Sequence, residues 1–114
     1  MKQYGVIGYP LKHSLSPLIH NYAIQKLNLD ASYQKIEIQP EQFKRSIAEL
    51  KKSEISGFNV TIPFKEWIIP FADDIDADAA ALGAVNTIIV NGGRWQACNT
   101  DVGERRRRHG RRDP

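Results

Sequence analysis

The stretch Gly57-Phe58-Asn59-Val60-Thr61-Ile62-Pro63-Phe64-Lys65 alternates apolar and polar side chains until a proline interrupts it. Residues alternate faces along a strand. Phe58, Val60 and Ile62 therefore turn to one side, and Asn59 and Thr61 to the other. The apolar set is predicted to enter a core. The polar pair is displayed about 6.6 Å apart, at roughly 3.3 Å per residue. The strand is expected over 57–62, followed by a short helical stretch from Pro63 through Ile68 that Pro70 ends. Lys65 falls just past the carboxyl end of the strand, where open α/β sheets bind their ligands. Asn59, Thr61 and Lys65 thus form a donor-rich cluster at a candidate ligand position. The same residues also read as an exposed strand face beside a solvated lysine, and the strand alone does not decide between the two.

The segments on either side set this strand in an alternating pattern. Upstream, Tyr4 to Gly8 is short and apolar, as a buried first strand should be, and a loop from Tyr9 to Leu15 follows it. Ser16-Pro17 is a helix-start signal, with serine at the N-cap and proline preorganised at the first helical position. Ile19, Tyr22, Ala23 and Leu27 then recur at helical spacing. Ser32 to Ile38 reads as a second strand carrying Tyr33, Ile36 and Ile38. Phe43, Ile47 and Leu50 mark a second helix after Pro40. Downstream, Ala77 to Leu82 is helical, Ala84 to Val90 is a buried type of strand, and Arg94 to Cys98 is its partner. Asn91-Gly92-Gly93 joins those two as a hairpin turn, because Asn and Gly tolerate the positive φ required. Strands and helices alternate through the first two-thirds of the chain. The expected fold is an α/β sandwich of three layers, α/β/α, around a mostly parallel mixed sheet that ends in an antiparallel hairpin.

Composition narrows the class. The chain has 114 residues, 41% apolar and 25% charged, one domain's worth of ordinary globular sequence. No apolar run approaches the ~18–20 residues that span a bilayer, and Met1 to Tyr4 leads into a strand without the apolar core of a signal peptide. A single cysteine, Cys98, cannot form an internal disulfide, which fits a reducing cytoplasm. The net charge of +3 is not spread over the chain. Through Gly103 there are ten Lys and Arg against eleven Asp and Glu, a net of −1, whereas residues 104–114 hold six Arg against Glu104 and Asp113, a net of +4. A basic stripe over a folded face, the mark of a nucleic-acid binder, is therefore not encoded. His13, His20 and His109 have no metal-ligand spacing. Trp67 and Trp95 read as core or interface residues.

Further candidates lie outside the third strand. Ser14 and Ser16 flank a helix N-terminus, whose unpaired N–H groups and positive dipole end suit an anion such as a carboxylate. Capping by Ser16 explains the same residue, and the two roles are compatible. Asn86-Thr87 opens the fourth strand and Asn99-Thr100-Asp101 closes the last. Each is weak alone, since Asn and Asp are common turn residues. Asp101 gains weight if it comes near Lys65, because a Lys–Asp pair can deliver a proton to a carbonyl oxygen or take one from a hydroxyl.

Taken together, GVIGYPLKHSLSP (5–17), GFNVTIPFK (57–65), GAVNT (83–87) and NTD (99–101) closely resemble shikimate dehydrogenases. Four motifs occur in order over nearly all of residues 1–101. That family reduces 3-dehydroshikimate to shikimate with NADPH. The resemblance implies that Ser14 and Ser16 hold the substrate carboxylate, that Asn59, Thr61, Asn86 and Asp101 bind ring hydroxyls, and that Lys65, aided by Asp101, is the catalytic acid–base group. It also implies partners: shikimate or 3-dehydroshikimate as ligand, and no membrane.

The departures from the family begin after Asp101. Val102-Gly103 keeps a trace of the glycine-rich turn that follows in the family, and the Arg-rich segment 104–114 then takes over. No strand–GxGxx–helix unit is encoded in the 114 residues. Residues 1–103 are therefore expected to form a shikimate-binding catalytic domain, with the NADP-binding Rossmann domain absent and no NADP(H) bound by this chain. Residues 104–114 read as a disordered tail, of the composition that GC-rich DNA yields when read out of frame. The expectation that follows is binding of substrate without turnover. Two alternatives accompany it: a non-catalytic module that self-associates as a homodimer through the exposed former domain interface, and RNA binding through the arginine tail.

Overall fold

Ile7, Phe58, Val60, Ile88, Trp95 and Ala97 come from four different strands, and all are buried. A computed structural model of the chain describes residues 2–11, 21–22, 25–26 and 30–100. Its six strands are β1 (Lys2–Gly8), β2 (Ala31–Glu37), β3 (Ile55–Val60), β4 (Asp74–Ile75), β5 (Thr87–Asn91) and β6 (Arg94–Cys98), in the order β2-β1-β3-β5-β6-β4. The β1–β2, β1–β3 and β4–β6 pairs are parallel, and the β3–β5 and β5–β6 pairs antiparallel. This is the α/β architecture expected, with a mostly parallel mixed sheet. The register aligns Ile7 with Val60, Phe58 with Ile88, Ile88 with Ala97 and Val90 with Trp95, so the apolar alternates of four strands form one continuous face.

Helix α1 (Phe43–Lys52) covers that face with Phe43 and Ile47, and helix α2 (Ala77–Leu82) with Ala79. The segment after β3 adds Phe64 and Ile68, both fully buried. Phe43 and Phe64 stack with ring centroids 4.6 Å apart, and Trp95 meets Phe58 edge-on at 5.1 Å. Helix α2 carries its own start and stop signals. The Asp76 side chain accepts from Ala79 N–H at 2.9 Å, and Gly83 ends the helix at φ 73°, a left-handed conformation that favours glycine. Of the expected second helical layer, residues 21–22 and 25–26 are described and helical. The Asn21 side chain bonds both the N–H and the C=O of Tyr33, at 3.0 and 2.8 Å, on the outer strand β2. No helix among the described residues is long and apolar enough to cross a membrane.

Several boundaries differ from the sequence expectation. The third strand runs over 55–60 rather than 57–62, and Ile62 is 71% exposed instead of joining Phe58 and Val60 in the core. The cause is tertiary. Thr61 N–H still bonds Ile7 C=O, but Ile62 lies in a turn whose carbonyl accepts from Tyr9 N–H, so the alternation breaks there. The helix expected from Pro63 to Ile68 is a set of turns, and Pro70 lies inside a 3₁₀ turn (Ile69–Phe71) instead of ending a helix. The fourth long strand begins at Thr87 instead of Ala84. Val85 N–H bonds Lys65 C=O while Asn86 N–H bonds Cys98 C=O, so the backbone bonds of 85–86 diverge to two neighbours before the ladder starts. Strand β4 was not foreseen. It has two exposed residues and no alternation to signal it, and it is held by Asp73 N–H on Trp95 C=O and Asp76 N–H on Ala97 C=O.

Candidate functional site

Because β1, β2 and β3 run parallel, their carboxyl ends lie together. Strand β5 runs the other way and brings its amino end there, and antiparallel β6 returns its carboxyl end to the same edge. One edge of the sheet thus gathers Gly8, Glu37, Thr61 to Lys65, Asn86-Thr87 and Cys98 to Thr100. Close approach is part of this. A Cβ on Gly8 would overlap the Thr61 methyl and lie 2.9 Å from Leu11 Cδ2, so only glycine lets the ends of β1 and β3 meet. The peptide bonds Tyr9–Pro10 and Ile62–Pro63, which follow those two strands, are both cis.

On the sheet face opposite the main core, the pairing sets Lys35, Val6, Asn59, Thr87 and Cys98 in one row across five strands. Asn59 accepts from the Tyr33 hydroxyl at 2.5 Å and donates to Thr87 Oγ1 at 3.3 Å and to Asn86 C=O at 3.5 Å. Thr87 donates to Asn86 Oδ1 at 3.0 Å. Asn86 Oδ1 also accepts from Thr100 N–H at 3.1 Å, and Asn86 Nδ2 donates to Thr100 Oγ1 at 3.0 Å. Asn59 and Asn86, named separately from sequence, are therefore joined in one network. Lys65 is half-buried on the turn after β3 and is anchored through its carbonyl by Val85 N–H at 2.8 Å. Thr61 is half-buried as well. Ser14, Ser16 and Asp101, with the tail 104–114, lie outside the described residues.

Tyr33, Glu37 and Lys35 were not singled out from the sequence as site residues, and Thr87, Asn99 and Thr100 were noted there only within their motifs, without a role. Tyr33 was grouped with Ile36 and Ile38 as strand hydrophobics, yet its odd number already sets it on the opposite face. It packs there with Val6 and Leu11, and burial pushes its hydroxyl pKa up, keeping it a proton donor. Glu37 Oε1 accepts from Leu11 N–H at 2.8 Å and Lys35 Nζ reaches Leu11 C=O at 3.5 Å, so β2 grips the loop that leads toward Ser14. Asn99, a buried polar residue, donates to Ala84 C=O at 3.1 Å and ties the end of β6 to the turn before Asn86. Thr87 and Thr100 close the network. Beside it, burial and the neighbouring Asp76 carboxylate raise the pKa of the Cys98 thiol.

A cluster of amide and hydroxyl groups with Lys65, where the carboxyl ends of three parallel strands meet, is suited to a small polyhydroxylated ligand. Residues 6–88 match the family model described as the shikimate dehydrogenase substrate binding domain. The chain belongs to that family. A shikimate dehydrogenase (NADP(+)) of Oceanobacillus iheyensis is 46% identical over 97 residues, covering 84% of this chain and 35% of that protein. The shikimate dehydrogenase structure from Aquifex aeolicus is 44% identical with a TM-score of 0.84, over 89% of this chain and 38% of that one. A shikimate 5-dehydrogenase from Listeria monocytogenes, in complex with shikimate and NAD, is 33% identical with a TM-score of 0.86, over 96% of this chain and 39% of that one. The chain spans little more than a third of the length of these shikimate dehydrogenase relatives.

Proposed function

We propose that this chain is the substrate-recognition part of a shikimate dehydrogenase, holding shikimate or 3-dehydroshikimate at the carboxyl end of its sheet. The observation that carries the reading is the convergence of Asn59, Thr61, Lys65 and Asn86, from two separated motifs, at one sheet edge. Thr61 and the two asparagines meet ring hydroxyls, joined by Asp101. Ser14 and Ser16, at a helix start, take the carboxylate. Lys65 with Asp101 moves the proton at the oxygen whose carbon exchanges hydride: an ammonium gives a proton to the carbonyl oxygen on reduction, and the neutral amine takes it back from the hydroxyl on oxidation. The hydride itself comes from NADP(H). The sequence of these 114 residues carries no strand–GxGxx–helix motif to hold that cofactor, and in this reading the donor is supplied from outside them. Without a held donor, effective concentration is lost and the chain by itself binds without turning over. The setting is a reducing cytoplasm, in keeping with the single free Cys98.

The test is titration of shikimate followed by NMR at Asn59, Thr61, Lys65 and Asn86, with Ser14, Ser16 and Asp101 read in parallel. Saturable shifts at these residues are expected, and no shift at any of them overturns the reading. Oxidation of NADPH by the purified chain with 3-dehydroshikimate would overturn the expected lack of turnover. A second reading, homodimerisation, is favoured by the open groove of about 1060 Å³ on the site face of the sheet, bordered by Tyr4, Gly57 and Ile89, the last 46% exposed. Light scattering that gives a strict monomer at high concentration removes it.

A further inference from the structure

An asparagine amide has a donor end and an acceptor end, and its orientation decides whether a ligand meets hydrogens or lone pairs. For Asn59 both ends are specified. Its nitrogen faces the Asn86 carbonyl oxygen at 3.5 Å, which has no proton to give, and Thr87 Oγ1 at 3.3 Å. Its oxygen faces the hydroxyl of Tyr33, which reaches from β2 over the intervening β1 to β3. Flipping this amide would set oxygen against the Asn86 carbonyl oxygen. The next steps inherit that direction. Thr87 accepts from Asn59 and has one proton left, which goes to Asn86 Oδ1. Asn86 Oδ1 is thereby an acceptor, as its bond from Thr100 N–H also requires, and Asn86 Nδ2 is turned to Thr100 Oγ1.

We propose that Tyr33 is a positioning residue of this site: its hydroxyl donates to Asn59 Oδ1 and locks the amide orientation that the Asn86 carbonyl selects, at the head of the hydrogen-bond chain Tyr33–Asn59–Thr87–Asn86–Thr100, so that both asparagine amides meet the ligand in one fixed orientation. The identity of the ligand rests on the function proposed above, but the directed chain does not. Tyr33 touches no substrate in this account and acts through Asn59. Its phenol is held by packing with Val6 and Leu11, and its backbone is clamped at both polar groups by Asn21, so the hydroxyl is delivered with little freedom. Without the Tyr33 proton, Asn59 Oδ1 loses its donor and the amide keeps only the two longer bonds of its nitrogen, at 3.3 and 3.5 Å, so its orientation and that of the groups after it are held less firmly.

The experiment compares the 114-residue chain with Tyr33→Phe by side-chain amide NMR without ligand, and then by shikimate titration. The amide resonances of Asn59 and Asn86 are expected to move, while that of Asn99, bonded to Ala84 C=O outside the chain, stays in place. Shikimate affinity should weaken about three- to tenfold, the weight of one hydrogen bond. If Asn59 and Asn86 do not move, or if Asn99 moves as far as they do, the proposal is overturned. An unchanged affinity in a parent chain that binds shikimate overturns it as well. Should the parent not bind shikimate, the functional reading falls while the ligand-free amide comparison still decides the directed chain. If Tyr33→Phe does not fold, Thr87→Val is expected to move both amides and Thr87→Ser to restore them. Failure of that rescue counts against the proposal.

Discussion

The two faces of the sheet use alternate residues of the same strands for different ends. On one face the hydrocarbon side chains of Ile7, Phe58, Val60, Ile88 and Ala97 pack in one apolar core with α1, α2 and the turn segment carrying Phe64 and Ile68. On the other, their neighbours Val6, Asn59, Thr87 and Cys98 form a row whose amides and hydroxyls are bonded to one another. The first face is held by removal of area from water, which is large and nondirectional. The second is held by hydrogen bonds worth less each but fixed in direction. A strand can serve both because a shift of one residue changes the face. Stability should therefore concentrate on the first face and ligand recognition on the edge of the second.

Phe64→Ala should show the largest effect. Phe64 is fully buried and stacked on Phe43, and truncation should cost about 3–5 kcal/mol in urea denaturation, a large share of the ~5–15 kcal/mol typical of a domain. A loss under 1 kcal/mol would break the contrast between the faces. Gly8→Ala sits where the faces meet the site. Its added methyl must push against Thr61 and Leu11, so a loss of about 1–3 kcal/mol is expected in thermal unfolding, together with displaced NMR signals at Thr61. Lys65→Ala should do the reverse of Phe64→Ala. Stability should stay within about 0.5 kcal/mol, while calorimetric titration shows shikimate affinity falling about tenfold or more.

The smallest effect is expected at the sheet edge. Asp73 accepts from Trp95 N–H at 2.8 Å. That bond, opposed by desolvation and aided to a lesser extent by Lys51 and Arg94, lowers its carboxyl pKa from the ordinary 3.8. A folded pKa below the unfolded one means that the contribution is full above about pH 3.8 and is lost as pH falls further. Asp73→Asn should accordingly flatten the acid limb of the stability curve and leave the neutral plateau little changed. An unchanged acid limb would place the acid sensitivity on other carboxylates.

The parts of this molecule legible in the sequence are those fixed by neighbours in the chain. The Asn91-Gly92-Gly93 turn has φ of 60° and 81° at its glycines and pairs Asn91 with Arg94, as its composition requires. Helix α2 begins at Asp76 and ends at Gly83 because both signals are local. Asn59, Thr61, Lys65 and Asn86 were readable as candidates because strand periodicity and family motifs both mark them. Ile62 was misplaced because its partner in the turn is Tyr9, 53 positions earlier, and no periodicity records that bond. Strand β4 was missed for the same reason: two exposed residues are ordered by β6 and by the Asp74–Arg94 pair.

By itself, the sequence determined the α/β class, the core side of Phe58 and Val60, the hairpin and the family, and it named the candidate site residues. Each of these follows from periodicity, from backbone preferences of single residues, or from motifs that survive as strings. Only the tertiary structure decided which way the polar residues face one another. The parallel run of β1, β2 and β3 and the return of β5 and β6 bring Tyr33, Asn59, Asn86 and Thr100 together across 68 positions of chain. The direction of a hydrogen bond is set by where donor and acceptor lie in space, and the order of residues does not encode it.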